Sequence, residues 1–136
     1  MRLWLSHHHD DELDRCVRVG GTFVCARCLG TYPTLFALVA LQFELKASLS
    51  HPWDVALSTA LVLPATLDWA WGRFRPHDFT NLWRWFTGLL LGAGLGRACY
   101  VHVQRPFPPV LLWPLGVVTA FAGPVILVSY LRRLRR

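Results

Sequence analysis

The chain has 136 residues, enough for one domain with a buried core, yet Asp, Glu, Lys and Arg make up only 16% of it against 54% apolar residues. An ordinary soluble domain is roughly 25% charged; here the few charges sit in clumps between long uncharged intervals, a distribution that favours a membrane protein over a soluble one. The formal net charge of +6 does not point to nucleic acid, because the basic residues flank apolar runs and form no polar basic face.

Residues 1–30 read as a cytoplasmic segment ahead of the membrane, and residues 31–136 as the membrane domain. Met1-Arg2-Leu3-Trp4-Leu5 is too short and too lightly charged for a cleavable signal peptide. His7, His8 and His9 follow, then a charged stretch to Arg18 in which Leu13 and Val17, four apart, predict a helical turn. Gly20-Gly21 ends that turn. Thr22-Phe23-Val24 is a short β-like run into the knuckle Cys25-Ala26-Arg27-Cys28, which Gly30 leaves.

Four apolar segments come next, at about Tyr32–Ala47, Trp53–Trp71, Leu82–Val103 and Val110–Leu131. His51-Pro52 separates the first two, since the residue before a proline is pushed out of helical geometry. A basic loop from Gly72 to Asp78 and a proline-rich turn from Gln104 to Pro109 make the other joints. The fourth segment is the clearest span, because a helix needs about 20 apolar residues to cross the hydrocarbon. Segments two and three have uncharged centres of 13 and 12 residues (55–67 and 85–96), a length also found in buried soluble helices. They carry no polar stripe at helical spacing, however, and Trp53, Trp69, Trp71, Trp83 and Trp85 cluster at segment ends as interfacial aromatics do. The expectation is an all-α integral membrane bundle of four transmembrane helices with a short cytoplasmic cysteine-knuckle cap.

Four spans put both termini on the side of the Gly72–Asp78 loop. Eleven of the 14 Lys and Arg residues fall there, Arg84 at its border included, and three (Lys46, Arg105 and the nearby Arg97) fall opposite. Under the positive-inside rule both termini are cytoplasmic, in the inner membrane, and the basic clusters meet anionic lipid.

Cys25 and Cys28 have the C-x2-C spacing of a zinc knuckle, in which both thiolates reach one metal. Cys16 and one of His7, His8 or His9, with His9 the one nearest in sequence, complete a four-ligand set for a structural zinc. Cytosolic thiols stay reduced, which favours metal over a disulfide. Free thiols and a redox-active pair are the other readings. Cys99 reads as a packing residue.

A second group, Asp68, Asn81, Arg84 and Thr87, falls at one depth near the cytoplasmic face. Asp68 and Arg84 are expected to pair, either as a functional site or as a lock on the helical hairpin. Gly88, Gly92 and Gly96, with Gly94 beside them, form a small-residue groove for close helix packing, within the bundle or in a homo-oligomer. Arg97 and His102 read as interface residues.

Two of these motifs resemble those of the predicted bacterial and archaeal membrane proteins called domain of unknown function 2085. Cys25-Ala26-Arg27-Cys28 with Gly30 and Tyr32 is similar to that family's knuckle before its first helix. Asn81, Arg84, Thr87, Gly88 and Gly92 are similar to its second motif, and Asp68 to an acidic residue upstream. The resemblance covers about residues 7–96. The family tends to begin with a Cys-His pair, whereas Ser6-His7-His8-His9 has no cysteine, which leaves the ligand set open. The resemblance supports the membrane reading and implies no reaction. The leading expectation is a non-enzymatic protein whose zinc-stabilised cap covers the polar patch, where a partner or small anionic ligand binds. A thiol-redox enzyme using the C-x2-C pair and a metal-ion carrier loaded at His7 to His9 are the rivals.

Overall fold

Two glycines in the left-handed region, Gly20 (φ +55°) and Gly21 (φ +85°), open the fold. Positive φ at both central residues is what a type I′ two-residue hairpin turn requires. The computed structural model describes residues 15–49, 51–75 and 78–134, and in it this turn joins β1 (Cys16–Val19) to β2 (Thr22–Cys25). The antiparallel register sets Cys16 opposite Cys25 and Val17 opposite Val24. Val17 and Arg18 therefore lie in a strand. The single i, i+4 pair that suggested a helical turn is outweighed by cross-strand pairing across the glycine turn; the rest of that predicted turn and His7 to His9 lie outside the described residues.

β2 runs without a linker into α1 (Ala26–Glu44), followed by α2 (Asp54–Phe74), α3 (Asn81–Gln104) and α4 (Pro109–Leu134). Pro109 opens α4 where its missing N–H costs nothing, and Thr80 caps α3, its hydroxyl accepting from Trp83 N–H at 3.3 Å. Pro33, Pro64, Pro114 and Pro124 all lie inside helices. Each removes a backbone donor, a defect met more often in transmembrane helices than in soluble ones.

α3 is the hub: it touches the other three helices, and α2 also packs on α4. The glycine groove is an intramolecular joint. A Cβ at Gly88 would collide with the Arg27 carbonyl oxygen, one at Gly92 with the Thr31 carbonyl, and one at Gly30, across the joint, with the Trp85 carbonyl. Gly30 is thus a helical residue that lets α3 approach, not the turn glycine its place after the knuckle suggested. Gly96 sits against Leu35 and Leu38 of α1, while Gly94 faces Ser58 and Val62 of α2.

The end away from the hairpin is tied by Arg97. Its Nη2 donates to Asp54 Oδ2 at 2.6 Å and its Nε to Asp54 Oδ1 at 3.1 Å; Nη1 reaches Gln42 Oε1 at 3.1 Å, and Nη2 also reaches the Ser48 carbonyl at 2.8 Å. One guanidinium thereby joins α1, α2, α3 and the α1–α2 loop. Tyr100 adds a hydrogen bond to the Ala47 carbonyl at 2.6 Å and an edge-on contact with Phe43. Arg97, expected as an interface residue, is this network's centre.

The distribution of side chains is inverted relative to a soluble bundle. Among the described residues the two largest side chains that are fully buried are Thr87 and Ser58, and the buried apolar residues are chiefly alanine and valine. Phe36 (66% exposed), Leu57 (56%) and Leu67 (54%) face outward. Among the described helices α4 alone is long and apolar enough by itself to count as a candidate span, over Pro109–Arg132 with mean hydropathy 2.1. Helices α1 to α3 each carry charged residues: Arg27 and Glu44 in α1, Asp54, Asp68 and Arg73 in α2, Arg84 and Arg97 in α3.

Candidate functional site beneath the cysteine hairpin

The hairpin register brings Cys16 and Cys25 side by side, both buried. Cys28 follows in the first turn of α1, ahead of the apolar run that opens at Tyr32, and shares a hydrogen bond with the Cys25 side chain. That hydrogen bond first, then burial, then the neighbouring Cys25 and Cys16 sulfurs push the Cys28 thiol far up, and Arg27 offsets them only in part. An attacking thiolate needs the reverse, a lowered pKa. No disulfide joins the four cysteines.

The donor set is soft and its C-x2-C spacing suits zinc. As the side chains stand, no group of three or more His, Cys, Asp or Glu residues is drawn together closely enough to hold a metal among the described residues. His9, with His7 and His8, lies outside them. Cys99 sits 18 residues beyond the first residue of α3, about 27 Å along the helix.

Below the hairpin lies the polar patch. Arg27 Nη2 donates to Asp68 Oδ2, an ion pair that joins α1 to α2, with the Asp68 side chain 2% exposed. Asp68, expected to pair with Arg84, accepts from Arg27 Nη2 at its Oδ2. Sequence reasoning saw only the α2–α3 connection, whereas the glycine joint brings α1 against α3 and carries Arg27 into the patch. Arg27 is the site residue that reading missed; its adjacency to Cys28 was the available signal.

Asn81, Arg84 and Thr87 follow one another at three-residue spacing, which puts them on one face of α3. Gly88, next to Thr87, meets the backbone of Arg27. Arg84 and Thr87 are buried, and the Thr87 hydroxyl donates to the Arg84 carbonyl at 3.1 Å. Asn81 Nδ2 donates to the Cys16 carbonyl at 3.4 Å, so the hairpin is fastened to the α3 terminus. Asp68 Oδ1 and Arg27 Nε are buried with no hydrogen-bond partner among the described residues. The patch therefore retains unused donor and acceptor capacity at its ion pair.

No curated protein and no solved structure is found to match the chain. A family model described as Predicted membrane protein (DUF2085) matches residues 10–98, more than half of the chain, from ahead of the hairpin through most of α3. α4 lies beyond the match. The two motifs that carried the resemblance both fall inside it, and the chain belongs to this family of predicted membrane proteins.

Proposed function

We propose that the chain is a four-span membrane protein whose N-terminal hairpin is a zinc-stapled cytosolic lid on a binding site for a partner or a small anionic ligand. The observation that carries this reading is the placement of polar groups. The ion pair Arg27–Asp68, Asn81 and Arg84 collect beneath the thiol hairpin, at one end of a bundle whose sides are apolar. Buried charge at a membrane margin is costly, which makes it a functional-site candidate by default. The unused Asp68 Oδ1 and Arg27 Nε would offer a ligand one acceptor and one donor there.

The four-span reading draws support from length and from the inverted side-chain distribution. At 1.5 Å per residue the helices run about 28, 31, 36 and 39 Å, against a hydrocarbon layer of about 30 Å. Close packing through glycine and hydroxyl residues with large apolar side chains outside is how helices associate in lipid, where apolar burial gives no drive. Zinc would be held by Cys16, Cys25, Cys28 and a histidine such as His9. Cys16, Cys25 and Cys28 would bind it as thiolates, which would pin the hairpin to α1; the bundle, whose helices satisfy their own backbone hydrogen bonds, does not depend on it.

Reporter fusions test the topology. Fluorescent protein that folds only in the cytoplasm should glow at either terminus, and a periplasm-dependent phosphatase should be silent at both. Phosphatase activity at one terminus would mean an odd number of spans, and at both an inverted bundle.

A further inference from the structure

The C-terminal ends of α2 and α4 bring three arginines onto three aromatic rings. Arg73 lies over Trp69 with its Cζ 5.2 Å from the ring centroid, Arg75 over Trp71 at 5.7 Å, and Arg132, from the last turn of α4, over Phe74 at 5.0 Å. All three arginines are exposed. Stacking on a ring orients the guanidinium plane and leaves its N–H edge for another partner. Among the described residues no carboxylate pairs with Arg73 or Arg132, and Arg75 has only an exposed contact with Asp78 at 3.7 Å. The floor is itself braced: the Trp71 indole N–H donates to Asp78 Oδ2 at 3.0 Å, and Trp71, Phe79, Trp83 and Phe86 follow one another with centroids 6.0–6.4 Å apart.

The surface beside this cluster is apolar. Leu67, Trp71 and Phe74, spaced i, i+4, i+7 on α2, are all exposed and form one stripe leading away from the arginines. A free phosphate would use the guanidiniums and ignore the stripe. A phosphate ester carrying acyl chains uses both, with the rings at headgroup level and the chains along the stripe.

We propose that Arg73, Arg75 and Arg132 form a headgroup site for an anionic phospholipid. The proposal rests on the membrane reading for its setting, but its test is independent of span number. Full-length protein in detergent micelles is titrated with phosphatidylglycerol or phosphatidylcholine, and bound lipid is counted by native mass spectrometry. Phosphatidylglycerol should bind at least tenfold more tightly than phosphatidylcholine. Arg73→Gln and Arg132→Gln should each weaken it about fivefold, the typical contribution of one basic residue at an anionic surface. Arg73→Lys, which keeps the charge but loses the stacked planar fork, should recover only part of the preference, and Arg105→Gln, at the opposite end, should keep all of it. Equal binding of the two lipids by the wild-type protein overturns the proposal, whatever the variants do. So does a preference that survives replacement of all three arginines, or full competition by inorganic phosphate at lipid concentration, which would make this an ion site. A topology failure appears in the terminal fusions and leaves the lipid preference in place, so the two readings fall separately.

Discussion

Asp68→Asn is expected to cost about 3–5 kcal/mol of stability, because it leaves the Arg27 charge uncompensated in a desolvated site. Arg27→Gln should cost a similar amount from the other side, with Asp68 the orphan and only 2% of its side chain exposed to recover solvation. Together the two changes should cost well under their sum, since the second removes the charge that the first stranded. The same cycle with Arg84→Gln in place of Arg27→Gln should show weaker coupling, as Asp68 gives its Oδ2 to Arg27. Denaturant unfolding in micelles reads all of these. Strict additivity of the Arg27 and Asp68 changes would mean that the pair is not formed.

Gly88→Ala carries the second large effect, and a single methyl group is enough to produce it. The new Cβ would land on the Arg27 carbonyl oxygen, its carbon and its Cα. Backbone cannot rotate away as a side-chain tip can, so α1 and α3 must separate, and overpacking of this kind costs about 3 kcal/mol. The shift also moves Arg27 relative to Asp68, so the variant should lose part of the ion-pair coupling as well. Gly92→Ala, against the Thr31 carbonyl, should behave alike. Gly116→Ala and Gly123→Ala meet nothing within 4 Å. Those two should be neutral or stabilising by up to about 1 kcal/mol, the helix-propensity difference between glycine and alanine. Equal effects in both pairs would contradict the joint.

What the sequence made legible follows from the range of each interaction. The bounds of α2 to α4 came out within about three residues because they depend on apolar runs and on local breakers such as His51-Pro52 and the Gln104–Pro109 turn, whereas α1 starts at Ala26, six residues ahead of the apolar run, inside the stretch read as the knuckle turn. The hairpin turn was marked by Gly20-Gly21, and the small-residue groove by the four-residue spacing of Gly88, Gly92 and Gly96. Which helix fills that groove depends on the arrangement of the bundle, and no local pattern encodes it. Two pairings were missed for that reason. Arg27 reaches Asp68 across 41 positions and Arg97 reaches Asp54 across 43. Gly30 was misjudged on the same ground, as its small size answers Trp85 and Leu89 on α3 rather than any demand of its own backbone. The thiol register was hidden too. Cys16 is set opposite Cys25 by the hairpin, whereas the local spacing of Leu13 and Val17 suggested a helix through that stretch.

The central claim, a zinc-stapled lid, is tested most directly by counting metal in purified full-length protein. The account predicts close to one zinc per chain. Cys25→Ser, Cys28→Ser and Cys16→Ser should each lose it and expose residues 1–25 to protease while the helical content stays unchanged. Cys99→Ser should keep its zinc, and joint replacement of His7, His8 and His9 should lower the affinity. Metal-free protein whose N-terminal segment still resists protease would contradict the account.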